Sequence, residues 1–311
     1  MRPKKPVLSG PYIPVYRPEP AIYPGPSSPS FCAGQRYDDW VPNDFTVIHD
    51  GRHWHLIGIT HPRPAGFTDT AYGENDIHEA EWQLFHAVSR GEGLKDSLRE
   101  RGFRQEPLLL SALQRPHERP EIWAPICRKV QDEYLLLYSP DPMRLAVSHD
   151  LYAWTCLGEA FRVGCDFARD PNILEKDGLY HVIYLKNQSI CLRTSRDLRN
   201  YGPETVIFTG PPNIALESPI LAFVDGWYYL FYCIYNSADR VNGAYDFRTF
   251  VHAAQTLPAL QGTQPIARLQ AHAPELFQDE DGDWYLASAE WPTRGVSIAP
   301  LRWLEMEAEP C

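Results

Sequence analysis

The chain has 311 residues, 44% of them hydrophobic and 13% aromatic, which is apolar surface enough for a sizeable core and excludes extended disorder. A formal charge of −11 excludes a nucleic-acid surface, because phosphate backbones are bound by clustered Lys and Arg. Seven scattered cysteines with no Cys-x-x-Cys pair exclude a disulfide framework or a zinc site.

No segment approaches the 18 apolar residues of a membrane span, and Lys4-Lys5 is followed by no apolar leader, so a cytoplasmic protein is expected. Residues 1–36 are rich in proline (Pro11, Pro14, Pro18, Pro20, Pro24, Pro26, Pro29). Proline fixes φ and lacks an N–H, so this stretch is expected to be an extended arm, laid across the rest of the chain or against a neighbouring copy in a homo-oligomer. The remainder, 37–311, is expected to be one domain. It opens with Trp40-Val41-Pro42-Asn43-Asp44-Phe45, an Asp50-Gly51 turn and the apolar run Trp54-His55-Leu56-Ile57. An insertion follows, about 62–81, with Pro62, Pro64, Gly66 and Gly73 and the acidic Asp69, Glu74, Asp76 and Glu79; it either covers a pocket or makes a dimer contact. Segment 91–102 is expected to hold a short helix.

The opening phrase then recurs. Trp123-Ala124-Pro125 precedes Gln131-Asp132, Arg169-Asp170-Pro171 precedes Asp177-Gly178, Glu217-Ser218-Pro219 precedes Asp225-Gly226, and His272-Ala273-Pro274-Glu275 precedes Asp281-Gly282. Each is a strand mouth, a strand, a tight turn and a second strand. A second echo runs in the outer halves: Ser148-His149-Asp150-Leu151 and Ser195-Arg196-Asp197-Leu198. Trp123 to Asp170 and Asp170 to Glu217 are each 47 residues, within the roughly 40–50 of a propeller blade. Five copies predict an all-β fold, a five-bladed β-propeller in a single domain. Innermost strands line the central channel, so Asp44, Trp123, Asp170, Glu217 and His272 are expected to surround one pocket.

Converging carboxylates suit glycoside hydrolysis, in which one protonates the leaving oxygen while another attacks or activates water. Asp44, Asp170 and Glu217 are the candidates, with Glu217 as general acid because its side chain reaches furthest. Acidic residues at strand ends also cap turns, but three around one axis repel and raise one another's pKa, which favours function. Trp40 and Trp123 could stack on a sugar face or serve packing, and Glu275 could line the pocket or cap its strand. His53, His55 and His181 read as structural, since no triad or metal spacing surrounds them. Glu121 could point either way.

The segment Trp40–Phe45 resembles the Trp-Met-Asn-Asp-Pro segment of glycoside hydrolase family 32, Arg169-Asp170-Pro171 matches that family's Arg-Asp-Pro, and Glu217-Ser218-Pro219 resembles its Glu-Cys-Pro. Trp123-Ala124-Pro125 and the His272 segment look more like family 43, which shares the five-bladed propeller. The resemblance covers roughly residues 37–300 and departs at Phe45, where proline is expected, and at Ser218, where cysteine is. It implies Asp44 as nucleophile in a retaining enzyme or general base in an inverting one, and Asp170 as transition-state stabiliser. Arg169 would then act on ring hydroxyls or on Glu217, and Trp40, Asn43, Trp123, His272 and Glu275 would complete the substrate contacts. The implied substrates are oligosaccharides or small glycosides of the β-fructofuranoside or α-L-arabinofuranoside class. No cofactor is required, though a structural Ca2+ in the central channel near His272 is compatible with the resemblance. Transglycosylase or phosphorylase action on the same fold and a non-catalytic carbohydrate-binding propeller are the other readings. A phosphorylase needs a basic cluster, of which the repeat supplies only Arg169.

Overall fold

Each copy of the repeated phrase folds as the innermost strand of an antiparallel sheet, and five such sheets, four of them four-stranded and one five-stranded, form the blades of a propeller. The computed structural model describes residues 2–306 apart from 64–79, 101, 213, 236–239, 242–243 and 246–247, so nearly all of the expected insertion lies outside the described residues. Blade one is Trp40–His49, Trp54–Pro62, Gln83–Ser89 and Phe103–Leu109, with the short helix Leu94–Arg99 before its last strand. Blade two is Trp123–Val130, Glu133–Ser139, Met143–Ser148 and Thr155–Phe161; blade three is Arg169–Lys176, Leu179–Lys186, Ser189–Ser195 and Thr205–Thr209. Blade four is Ala215–Val224, Trp227–Tyr235, Arg248–Ala254 and Ala267–Gln270.

Blade five draws on both ends of the chain. Glu275–Gln278, Trp284–Ala289 and Val296–Glu305 come last in sequence, and the fourth strand is Lys4–Leu8, with Lys4 opposite Glu305 and Leu8 opposite Leu301. Ile13–Tyr16 pairs with the other end of Val296–Glu305. The proline-rich segment is therefore built into the propeller. Its middle part packs Tyr23 and Phe31 against Trp40 and Ala80.

The turns explain why the hairpins close where they do. Asp177-Gly178 and Asp225-Gly226 both have positive φ at the two central residues, the geometry that matches the twist of the flanking strands. The outer echo is a side-chain turn: Ser148 Oγ accepts the Leu151 N–H at 2.9 Å while Asp150 Oδ1 accepts the N–H groups of Tyr152 and Ala153. Ser195 and Asp197 repeat it. Alternating strand residues bury apolar clusters between neighbouring blades, such as Ile126, Leu137, Ile173 and Val182 between blades two and three, and Leu56, Phe85, Ala287 and Ile298 between blades one and five.

Candidate active site

Four of the five repeated phrases place a residue with left-handed backbone just before a proline: Ala124 (φ 39°), Asp170 (φ 55°), Ser218 (φ 48°) and Ala273 (φ 42°). Such a conformation costs a non-glycine residue about 1 kcal/mol or more, and the strand ladder breaks register around the same point in blades three and four. In blade one Phe45 takes the proline's place, and the break falls at Asn43-Asp44. Asp44, Ala124, Asp170, Ser218 and Ala273, with the residue after each, line a small axial cavity of about 20 Å3. This ring sets the true alignment of the repeat. Asp44 corresponds to Asp170, whereas Trp123, Glu217 and His272 correspond to Arg169 and Asn43, one position earlier. The expected set of five equivalent residues thus mixes two adjacent positions, of which only the second belongs to the axial ring.

Above the ring opens a cavity of about 630 Å3, lined by Asn43, Asp44, Trp123, Arg169, Asp170 and Glu217 among the expected residues. Ser218 ties two of its carboxylates together: the hydroxyl donates to Asp44 Oδ1 at 2.6 Å, and the backbone N–H donates to Asp170 Oδ2 at 2.9 Å. A cysteine thiol, the residue of the motif resembled, would donate only weakly. Arg169 spans the other side, with Nε 3.5 Å from Asp170 Oδ2 and Nη2 3.4 Å from Glu217 Oε1. Burial pushes the Asp44 carboxyl up to about 6; the Ser218 hydroxyl opposes this, and the charges of Glu217 and Glu81 reinforce it. Burial likewise lifts Asp170 to about 7 against the pull of Arg169, with Asp44 adding repulsion. The three carboxylates come from blades one, three and four, so the propeller brings together residues up to 173 positions apart, from Asp44 to Glu217.

No family model and no curated protein matches the sequence. Among solved structures, the chain is similar to a Bacillus subtilis arabinanase (17% identical, covering 85% of this chain and 94% of that one, TM-score 0.58). It is similar to a thermostable family-43 glycoside hydrolase (13%, 86% and 91%, TM-score 0.61) and to an exo-1,5-α-L-arabinanase from a bovine ruminal metagenomic library (15%, 86% and 94%, TM-score 0.58). The fold is the one these hydrolases share.

Within this propeller, two expected contacts lie elsewhere. Trp40 is 1% exposed, donates its indole N–H to the Tyr37 carbonyl and packs on Tyr23 and Phe31, so it serves the core. His272 lines neither cavity; its Nδ1 lies 3.2 Å from the Ala289 carbonyl and 3.6 Å from Glu290 Oε2. Glu275 lines the axial cavity below the ring, where burial pushes its carboxyl up to about 8 and Arg128 opposes the shift. Ca2+ takes six to eight oxygen ligands. Among the described residues no group of three or more Asp, Glu, His or Cys side chains is arranged to hold a metal ion, and the axial cavity has room for one water-sized occupant.

Other residues complete the large cavity: Ile59, Glu81, Trp82, Arg119, Glu121 and Phe167. Glu81 is buried and accepts from Asn43 Nδ2 at 3.4 Å. Arg119 Nε donates to Glu121 Oε2 at 3.1 Å. All except Ile59 sit on connections between strands or between blades, where no repeat or strand period marks them.

Proposed function

We propose that the chain is a glycoside hydrolase acting on neutral furanosides, α-L-arabinofuranosides first and β-fructofuranosides second. Asp44 is the general base, Glu217 the general acid, and Asp170 holds substrate hydroxyls and tunes its neighbours. The observation that carries this reading is that the three carboxylates share one cavity, tied by Ser218 and Arg169.

The chemistry needs one group ionised and one proton held in reserve. Near neutral pH Asp44, with its carboxyl held at about 6, is largely ionised and takes the proton of a water as that water attacks the anomeric carbon. Asp170, held at about 7, keeps a proton on the set in the same pH range. Because the groups interact, that proton belongs to the set rather than to one residue, and Glu217, with the longest reach, delivers it to the departing oxygen. Trp82 and Trp123 form apolar walls beside the reacting bond. The arabinofuranoside preference is supported by the likeness to two arabinanases. Both arginines of the cavity stand beside carboxylates, Arg169 by Asp170 and Glu217 and Arg119 by Glu121, which disfavours a phosphate acceptor and hence a phosphorylase.

The test is incubation with an aryl α-L-arabinofuranoside and with sucrose, following the product anomer by NMR from the first time point. Inverted product is expected, with kcat lowered by about 10^2- to 10^4-fold in Asp44→Asn and in Glu217→Gln. Retained configuration would make Asp44 the nucleophile, and turnover surviving in both variants would remove these carboxylates from the chemistry.

A further inference from the structure

The large cavity extends beyond the three carboxylates towards blade two, where it is bounded by two connections. One, residues 110–122, leads from blade one into the inner strand of blade two; the other, residues 162–168, leads into that of blade three.

The first connection is anchored from beneath by two buried arginines. Arg115 donates to the carbonyls of Leu110, Arg119 and Pro120, and Arg144 donates to those of Arg119, Glu121 and Ser139. Between them Glu118 accepts from both guanidinium groups and from the Tyr138 hydroxyl. Burying two guanidinium groups is costly unless they are hydrogen-bonded, and here five of those bonds go to backbone carbonyls of one short connection. The result is that Arg119 and Glu121 are fixed side by side in the cavity wall. Among the described residues Arg119 uses Nε on Glu121 and Nη1 on the Asp141 carbonyl, which leaves Nη2 for a ligand. From the second connection Phe167 lines the same cavity while 69% exposed, an unusual position for a phenylalanine.

We propose that Arg119, Glu121 and Phe167 form a subsite that binds the second sugar ring of the substrate, on the leaving-group side of the bond that is cleaved. It rests on the hydrolase reading above. The fixed pair offers donors and an acceptor to adjacent hydroxyls, and the phenyl face takes the apolar face of the ring. The ring is a neutral one: a uronate would meet Arg119 but also the carboxylates of Glu121, Glu81 and Glu217.

The experiment compares kcat/KM for an arabinofuranosyl disaccharide with that for arabinofuranosyl fluoride, whose leaving group is too small to reach Phe167. In Phe167→Ala and in Arg119→Met the ratio of disaccharide to fluoride is expected to fall about tenfold. Equal losses on the two substrates, or none, would overturn the subsite while leaving the hydrolase reading intact. Should the parent protein turn over neither substrate, the hydrolase reading fails first. The subsite is then judged by calorimetric titration with the disaccharide: binding weakened in Phe167→Ala supports it, and binding unchanged or absent in the parent overturns it.

Discussion

Ser218 donates to Asp44 with its side chain and to Asp170 with its backbone, so one residue holds two carboxylates at a fixed spacing. Because Asp44 must be ionised and the set must keep a proton, kcat/KM is expected to rise with pH through about 6 and to fall above about 7. Removing the hydroxyl in Ser218→Ala takes away the contact that pulls Asp44 down, so the acid limb should move to higher pH; an unmoved limb would mean that another group sets it. Glu275 gives a prediction on stability. Its folded pKa of about 8 lies above the ordinary 4.5, so the folded state holds the proton more tightly than the unfolded one. Stability is then present at low pH and lost as pH rises from the unfolded value through about 8, at up to about 1.4 kcal/mol per pH unit. Glu275→Gln mimics the protonated acid. Its Tm should match that of the parent at pH 4 and exceed it by several degrees at pH 9, and equal values at pH 9 would show that Glu275 ionises normally.

At the scale of the element, the strand Lys4–Leu8 is the outer edge of blade five. It pairs along five residues with Val296–Glu305, and Lys4 reaches blade four through Asp225 at 2.7 Å. Pro6 is buried in that strand, and Leu8 packs against the cluster between blades four and five. Deleting residues 2–9 should therefore lower Tm by roughly 10 °C, from the few apolar side chains released and the unpaired edge left behind. A truncated protein that melts with the parent would show that blade five closes without it. The same element shows where reading the sequence falls short. Lys4–Leu8 pairs with strand Val296–Glu305, close to 300 residues away in the chain, so nothing local announces its partner. The inner strands were readable because each begins at the same short phrase and ends at an Asp-Gly or similar turn.

For the whole molecule, five phrases, three of them spaced at 47 residues, were enough to expect the architecture and to bring Asp44, Asp170 and Glu217 to one axis. The period was not enough to align the phrases to the residue. A shift of one position separates the axial ring of Asp44, Asp170 and Ser218 from Asn43, Arg169 and Glu217, which line only the larger cavity, whereas Asp44 and Asp170 line both. Trp40 shows the same limit: three residues before Asn43, it faces the core instead of the cavity. Arg119, Glu121, Trp82 and Phe167 lie in connections that have no repeat, and only the folded chain brings them to the cavity wall.

The shared blade also puts the molecule in an unusual position during synthesis. Lys4–Leu8 precedes every other strand of the propeller in the chain and its partner strand follows all of them, so blade five stays open until that partner has been made. For that interval the edge of the growing protein has to resist pairing with other chains, and the first strand carries two lysines and a proline, the residues that keep a lone strand soluble.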